Sequence, residues 1–289
     1  MLERIDRLQL IVADPEKAAS GWQRILGAEK ETEDKIQCLS CTRHTYRIGT
    51  SRLEFLQPDG AGIAADALSA RGPHLFGAGI STKDMQGLSA HLGNQNIDTL
   101  SENGQLFLSP AVTGGFGMQV VISEDEPLPQ IGQIDFLYEV TLLVDQVDKK
   151  AAHMAQLFGL DQSHFVPITS SNYGYEGSLT LFNAGKLHRF EMIYPEDAQK
   201  TMGRFFNKMG QCYYMAFAES SALSEIEEKV KQDGDGHTVT PPNKAASRVP
   251  DSLFIHPPSL GGMMLGISRP TMAWSWSGHP EWVEEISDN

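Results

Sequence analysis

The sequence predicts an α+β protein of four β-α-β-β-β modules arranged as two domains. Three observations predict it. One order of strand, helix and further strands occurs four times, a constant offset relates the two halves, and an acidic, proline-containing stretch separates them.

The first module opens at Ile5-Asp6-Arg7-Leu8-Gln9-Leu10-Ile11-Val12, short, apolar and alternating, as a strand should be. In Ala13-Asp14-Pro15-Glu16-Lys17, Asp14 can cap a helix and Pro15 can occupy its first turn. Ala18, Ala19, Trp22, Ile25 and Leu26 then recur at helical spacing, and Gly27 stops the helix. Short strands follow, ending at Ser51-Arg52-Leu53-Glu54-Phe55-Leu56 and a Gln57-Pro58-Asp59-Gly60 turn.

The same order returns from Leu137. Glu139-Val140-Thr141-Leu142-Leu143-Val144 reads as a strand, residues 148–157 as a helix, and Phe158-Gly159 as its stop. Arg189-Phe190-Glu191-Met192-Ile193 then mirrors the Glu54 strand. A copy between these runs from Gly77-Ala78-Gly79-Ile80 through a helix at 85–92 to Gly117-Met118-Gln119-Val120-Val121. The last runs from Tyr214-Met215-Ala216-Phe217 through a helix at 223–231 to Met263-Met264-Leu265-Gly266-Ile267. Glu54 to Glu191 and Gly77 to Tyr214 are both 137 positions apart, and Gly114-Gly115 matches Gly261-Gly262. The linker is Ser123-Glu124-Asp125-Glu126-Pro127-Leu128-Pro129, giving domains 1–125 and 132–272 with an aromatic tail at 273–289.

Composition narrows the function classes. A formal charge of −14 without local basic clusters argues against a nucleic-acid surface. No apolar run is long enough for a transmembrane helix, and the N-terminus lacks a signal peptide's apolar core. Three cysteines make no disulfide framework, so the expected compartment is the reducing cytoplasm.

Taken together, Ile5-Asp6-Arg7 with Asp14, Leu26-Gly27, Leu53-Glu54-Phe55 with Pro58, Ala216-Phe217, and Phe254-Ile255-His256-Pro257 with Gly261-Gly262 resemble the vicinal-oxygen-chelate superfamily. That superfamily includes glyoxalase I, methylmalonyl-CoA epimerase, bleomycin-resistance proteins and extradiol dioxygenases. The likeness covers about residues 3–270, and the length is most similar to that of two-domain extradiol dioxygenases. The resemblance implies glyoxalase-like domains with cupped, mixed or antiparallel sheets, helices outside, and one cavity in each half.

Metal-using members draw His or Glu ligands from the first and last strands of each paired module. Carried over, those places fall on Arg7, Glu54, Gly77 and Gln119 in the first half, and on Glu139, Glu191, Tyr214 and Gly266 in the second. A guanidinium cannot ligate and repels a divalent ion. Two carboxylates and a phenol do not make the two-His-one-carboxylate triad of non-haem iron. The expectation is therefore no cofactor, with at most weak Mg²⁺ or Mn²⁺ at Glu139 and Glu191.

Glu139 and Glu191, with Tyr214, are the candidate catalytic residues, since paired carboxyls push their pKa values apart and supply an acid and a base. Arg7, Glu54 and Gln119 are the candidate substrate-binding set, with Arg7 forking to an anionic group or simply pairing with Glu54. The expected activity is lyase- or isomerase-type proton transfer on a small oxygenated metabolite. The alternatives are a metal-free binding or resistance protein, and a metal-dependent extradiol-type dioxygenase whose ligands lie elsewhere. Expected partners are a small-molecule ligand and neither nucleic acid nor membrane. The tail's tryptophans should cover a groove or a second subunit of a homodimer. Cys38-Leu39-Ser40-Cys41 is read as plain thiols on a strand, and His44, His74, His188 and His256 as strand-end or turn residues rather than ligands.

Overall fold

The computed structural model describes residues 1–113, 119–245 and 248–286; Gly114-Gly115 and Gly117-Met118 of the repeat argument lie outside them. The first module is β1 (Leu2–Ile11), α1 (Pro15–Leu26), β2 (Glu29–Ile36), β3 (Cys41–Ile48) and β4 (Ser51–Pro58). Helix α2 (Ile63–Arg71) leads to the second: β5 (His74–Thr82), α3 (Met85–Asn94), β6 (Leu100–Glu102), β7 (Gln105–Leu108) and β8 (Gln119–Glu124). The third holds β9 (Phe136–Leu143), α4 (Val147–Phe158), β10 (Phe165–Ser170), β11 (Tyr175–Leu181) and β12 (Arg189–Pro195). After α5 (Thr201–Met209) the fourth holds β13 (Cys212–Glu219), α6 (Leu223–Asp233), β14 (His237–Thr240), β15 (Ser252–Ile255) and β16 (Met264–Ser268).

The local signals work as their chemistry requires. Asp14 accepts a hydrogen bond from the Lys17 amide at 3.0 Å, satisfying one of the free donors of the first turn of α1. Gly27 and Gly159 end α1 and α4 at φ of 73° and 63°, a left-handed conformation in which a side chain would be strained. Helices α2 and α5 stand outside the repeat pattern. Helix α2 buries only Ala64 and carries no apolar stripe, whereas α5 carries one in Met202, Phe205, Phe206 and Met209 but buries only Met202 and Gly203.

The strands form two curled, mixed eight-stranded sheets, an α+β architecture. Their orders correspond: β2-β3-β4-β1-β5-β8-β7-β6 and β10-β11-β12-β9-β13-β16-β15-β14. In every module the first strand runs parallel to the last, while the strands between pair antiparallel. Two like rows follow from the register. Gln9 stands opposite Glu54 and Arg7 opposite Arg52, as Thr141 stands opposite Glu191 and Glu139 opposite Arg189. No helix among the described residues is long and apolar enough to cross a membrane.

Tertiary contacts gather the chain into two compact units. One comprises Met1–Asp6, Phe76–Glu126 and Glu139–Tyr214; the other comprises Arg7–Leu75, Pro127–Tyr138 and Met215–Asn289. The core of the first includes Ile80, Leu88, Val121, Val140, Phe158 and Phe190, and that of the second Leu8, Trp22, Phe55, Ala216, Ile226 and Leu265.

Candidate functional site

In the second unit β1, β3 and β4 bring three charged side chains and an amide together. Alternate residues of a strand share a face, so Arg7, Gln9, Arg43 and Glu54 meet on one side of the sheet. Arg7 Nη1 donates to Glu54 Oε1 at 2.8 Å, Arg43 Nη1 donates to the same oxygen at 3.2 Å, and Gln9 Nε2 donates to Glu54 Oε2 at 2.8 Å. Arg43 also forks onto Asp34 at 2.8 and 2.7 Å. Burial pushes the Glu54 carboxyl up, but Arg7, Arg43 and Gln9 outweigh it and hold it below the usual range. Glu54 thus accepts three hydrogen bonds from within the protein. Gln9 Oε1 is buried without a hydrogen-bond partner.

In the first unit β9 and β12 build the counterpart with the charges rearranged. Arg189 Nε donates to Glu139 Oε2 at 2.5 Å, both side chains being fully enclosed, and Arg189 Nη1 donates to Leu187 O at 3.1 Å. Thr141 Oγ1 donates to Glu191 Oε2 at 2.5 Å. Burial, then the neighbouring Glu139 charge, raise the Glu191 carboxyl well above its ordinary range, against the smaller opposing effects of Thr141 and Arg189. Glu139 Oε1 is buried without a hydrogen-bond partner. Both carboxyls belong to buried residues, Glu139 at 0% and Glu191 at 6% exposure.

The remaining predicted residues lie apart from this pair or have other partners. Tyr214 is half-buried, its ring edge-on to Phe205 at 5.2 Å. Gln119 belongs to the same unit as Tyr214, not to that of Arg7 and Glu54; its amide donates to Val120 O and its own carbonyl accepts from Tyr213 Oη at 3.1 Å. Gly77 stands opposite Gln119. A Cβ on Gly266 would lie 2.3 Å from the Phe217 ring, so that position has no room for a side chain. An open groove of about 480 Å³, lined by Asp145, Asp148, Lys149, Thr169, Glu176 and Tyr194 among others, includes none of the predicted site residues.

Three smaller expectations are corrected. Cys38 sits in a short 3₁₀ turn (Gln37–Leu39) and only Cys41 is on a strand, because the chain turns at Ser40, φ 55°. Neither is in a disulfide, and burial pushes the Cys41 thiol up to about 12. His44 lies in the middle of β3, with Nδ1 3.1 Å from Glu33, because β3 begins at Cys41. In the tail, Trp276 packs 6.3 Å from Phe217, whereas Trp282 stacks on His279 at 3.8 Å and stays 42% exposed.

Sequence reasoning missed Arg189, Arg43, Gln9 and Thr141. A signal for Arg189 existed: Arg52-Leu53-Glu54 and Arg189-Phe190-Glu191 repeat an Arg-x-Glu triplet at the same 137-residue offset. Arg43 had none, since its meeting with Glu54 depends on the β3–β4 register.

No protein-family profile and no curated protein matches the sequence. The fold is similar to that of a triple mutant of 4-hydroxymandelate synthase from Streptomyces coelicolor, at a TM-score of 0.73 and 13% identity over 97% of this chain and 99% of that one. It is also similar to a xylose isomerase-like TIM barrel/4-hydroxyphenylpyruvate dioxygenase fusion protein, at 0.63 and 10% identity, over 93% of this chain and 49% of the fusion.

These neighbours overturn the expectation that no cofactor enters, or only weak Mg²⁺ or Mn²⁺. One neighbour contains a dioxygenase, and dioxygenases are a metal-dependent branch of the superfamily that the sequence resembles. The side chains at the carried-over ligand places do not fit such an ion. Glu54 is saturated by two arginines and an amide, Glu139 is paired with Arg189, and Gly266 is closed by Phe217. Among the described residues no three His, Cys, Asp or Glu side chains converge as a ligand group.

Proposed function

We propose, starting from a chain with the vicinal-oxygen-chelate fold, that the protein binds a small oxygenated metabolite beside the Glu139–Glu191 pair and catalyses a proton transfer on it. The observation that carries this reading is the allocation of the single arginine. Arg189 pairs with Glu139, which leaves Glu191 buried beside that charge, its carboxyl raised well above its ordinary range.

Such a group can act twice. Glu191 gives its proton to one atom of the substrate and becomes a carboxylate beside the Glu139 charge. Two adjacent carboxylates repel, so the new carboxylate is a strong base and recovers a proton from the neighbouring carbon. Protonation at one atom and deprotonation at the next sum to an isomerisation that consumes no proton. Glu139 acts through Glu191 and is a positioning residue, with Arg189 keeping it ionised. Tyr214 is proposed as a more distant wall of the same site.

The test is the protonation state of Glu191. Infrared spectra of the wild type at pH 7 should contain the carbonyl stretch of a buried carboxylic acid, absent from Glu191→Gln and shifted in Glu139→Gln. A wild type without that band has an ionised Glu191 and no resident acid. A second reading, a dioxygenase, is favoured by the fold neighbours. Oxygen uptake with 4-hydroxyphenylpyruvate by protein reconstituted with Fe²⁺ separates the two.

A further inference from the structure

We propose that the groove at the start of α4 and the outer face of α5 form one self-complementary surface, and that a second copy of this chain docks on it. The groove includes neither Glu139 nor Glu191, so the inference stands whether or not that pair moves a proton.

The groove is the acidic half. Register sets Glu176 opposite both Thr169 and Tyr194, so one cross-strand row from β10 to β12 makes its floor. The start of α4 adds Asp145, Asp148 and Lys149. Three carboxylates against one ammonium leave the groove a net charge of −2. Asp145, Asp148 and Glu176 are exposed, and none of them is ion-paired among the described residues. Nor do they converge as a ligand group for a metal ion, which suits them to an extended cationic partner.

Helix α5 is the basic half. Its Phe206 meets Tyr194 edge-on at 6.2 Å, so the helix and the groove share the Tyr194 wall. Arg204 and Lys208 stand about 160° round the helix from Phe206, at about 100° per residue, and both are exposed. Arg204 donates to Gln199 O and Thr201 Oγ1, and neither cation meets a carboxylate among the described residues. Two like charges one turn apart repel. Both point away from Tyr194, so the groove beside them is out of reach within their own chain but open to a copy. Surfaces of opposite sign side by side are what a two-fold dimer uses, each α5 lying over the partner's groove. Tyr194 is 36% exposed, and Tyr173, next to the turn whose Ser171 carbonyl accepts from Lys200, is 50% exposed. These rings supply the apolar contact that exposed ion pairs alone do not.

Sedimentation of the full-length protein at about 0.1 mM should show a dimer in about 0.05 M salt that moves toward monomer in about 0.5 M, because exposed ion pairs are screened. Arg204→Glu with Lys208→Glu should raise the dimer Kd at least about tenfold. Asp148→Lys with Glu176→Lys should do the same, although it lowers the net negative charge that would oppose unspecific association. Each double variant presents two surfaces of one sign and cannot pair with itself. Mixed in equal amounts, the two should form a heterodimer near the wild-type affinity, which also shows that both are folded. Glu228→Lys, which reverses an exposed carboxylate of α6, should leave the Kd unchanged. A wild type that is monomeric in low salt, a dimer indifferent to either reversal, double variants that stay apart when mixed, or an equal loss in Glu228→Lys overturns the proposal. So does a monomer that sediments with phosphatidylserine vesicles and loses them on Arg204→Glu with Lys208→Glu, since α5 would then face a membrane.

Discussion

Glu54 and Glu191 occupy matching positions in two repeats, yet their carboxyls move in opposite directions. What differs is the first-strand residue in the row beside them. Arg7 reaches diagonally to Glu54, while Glu139, in the matching place, claims Arg189 and leaves Glu191 without a cation. The stability consequence of Glu191 has a definite sign. Its folded pKa is raised above the unfolded value, so the contribution is fully present below about pH 4.5 and is lost as pH rises through the folded pKa. Glu191→Gln keeps a group able to accept from Thr141 and donate to Glu139, but it cannot ionise. The variant should gain on the wild type by roughly 1.4 kcal/mol per pH unit across that window. Urea unfolding at pH 5, 6, 7 and 8 checks this; parallel curves for the two proteins would show an ordinary carboxyl.

At the scale of elements, the parallel pairing of β1 with β4 is locked by a charge cluster in the first repeat. Its carboxyl is lowered, so its contribution is present above the unfolded pKa and is lost as pH falls through the folded one. Removing the charge leaves Arg7 and Arg43 buried beside each other with one oxygen fewer between them. Glu54→Gln should cost about 3–5 kcal/mol, the penalty for breaking a buried pair. Replacing both Arg7 and Glu54 by Met should recover part of it, because the pair is then removed rather than broken. Equilibrium denaturation of the three proteins decides; a Glu54→Gln loss under 1 kcal/mol would mean that water or a rearranged Arg43 satisfies the site. Much of this was legible. The strand holding Glu54, the helix stop at Gly27 and the position of Arg7 follow from local pattern. The share taken by Arg43 does not, because it depends on which residue of β3 stands beside which of β4.

On the scale of the whole molecule, each sheet is built from one half of the chain, whereas each compact unit takes segments from both halves. Residues 1–125 and 132–272 are proposed as the repeating domains, and the contact pattern makes them depend on each other. A chain cut between Glu126 and Pro127 would divide the core of both units. Residues 1–126 alone should lack a cooperative unfolding transition, and co-expression with 127–289 should restore one. Calorimetry of the separate and co-expressed halves distinguishes this from independent folding, in which each half melts sharply alone.

What the sequence determined by itself was the repeat, and through it the fold. Strand alternation, caps and glycine stops are local physics, and their order recurs closely enough to define four modules without any tertiary knowledge. Arg7, Glu54, Glu139 and Glu191 were legible for the same reason, as members of matching strands. Only the tertiary structure decided which carboxyl receives the cation. Arg189 lies two residues from Glu191 in sequence, yet the parallel register of β9 and β12 sets it opposite Glu139. Electrostatic energy depends on distance between side chains, and pairing between strands sets those distances where neighbourhood along the chain does not.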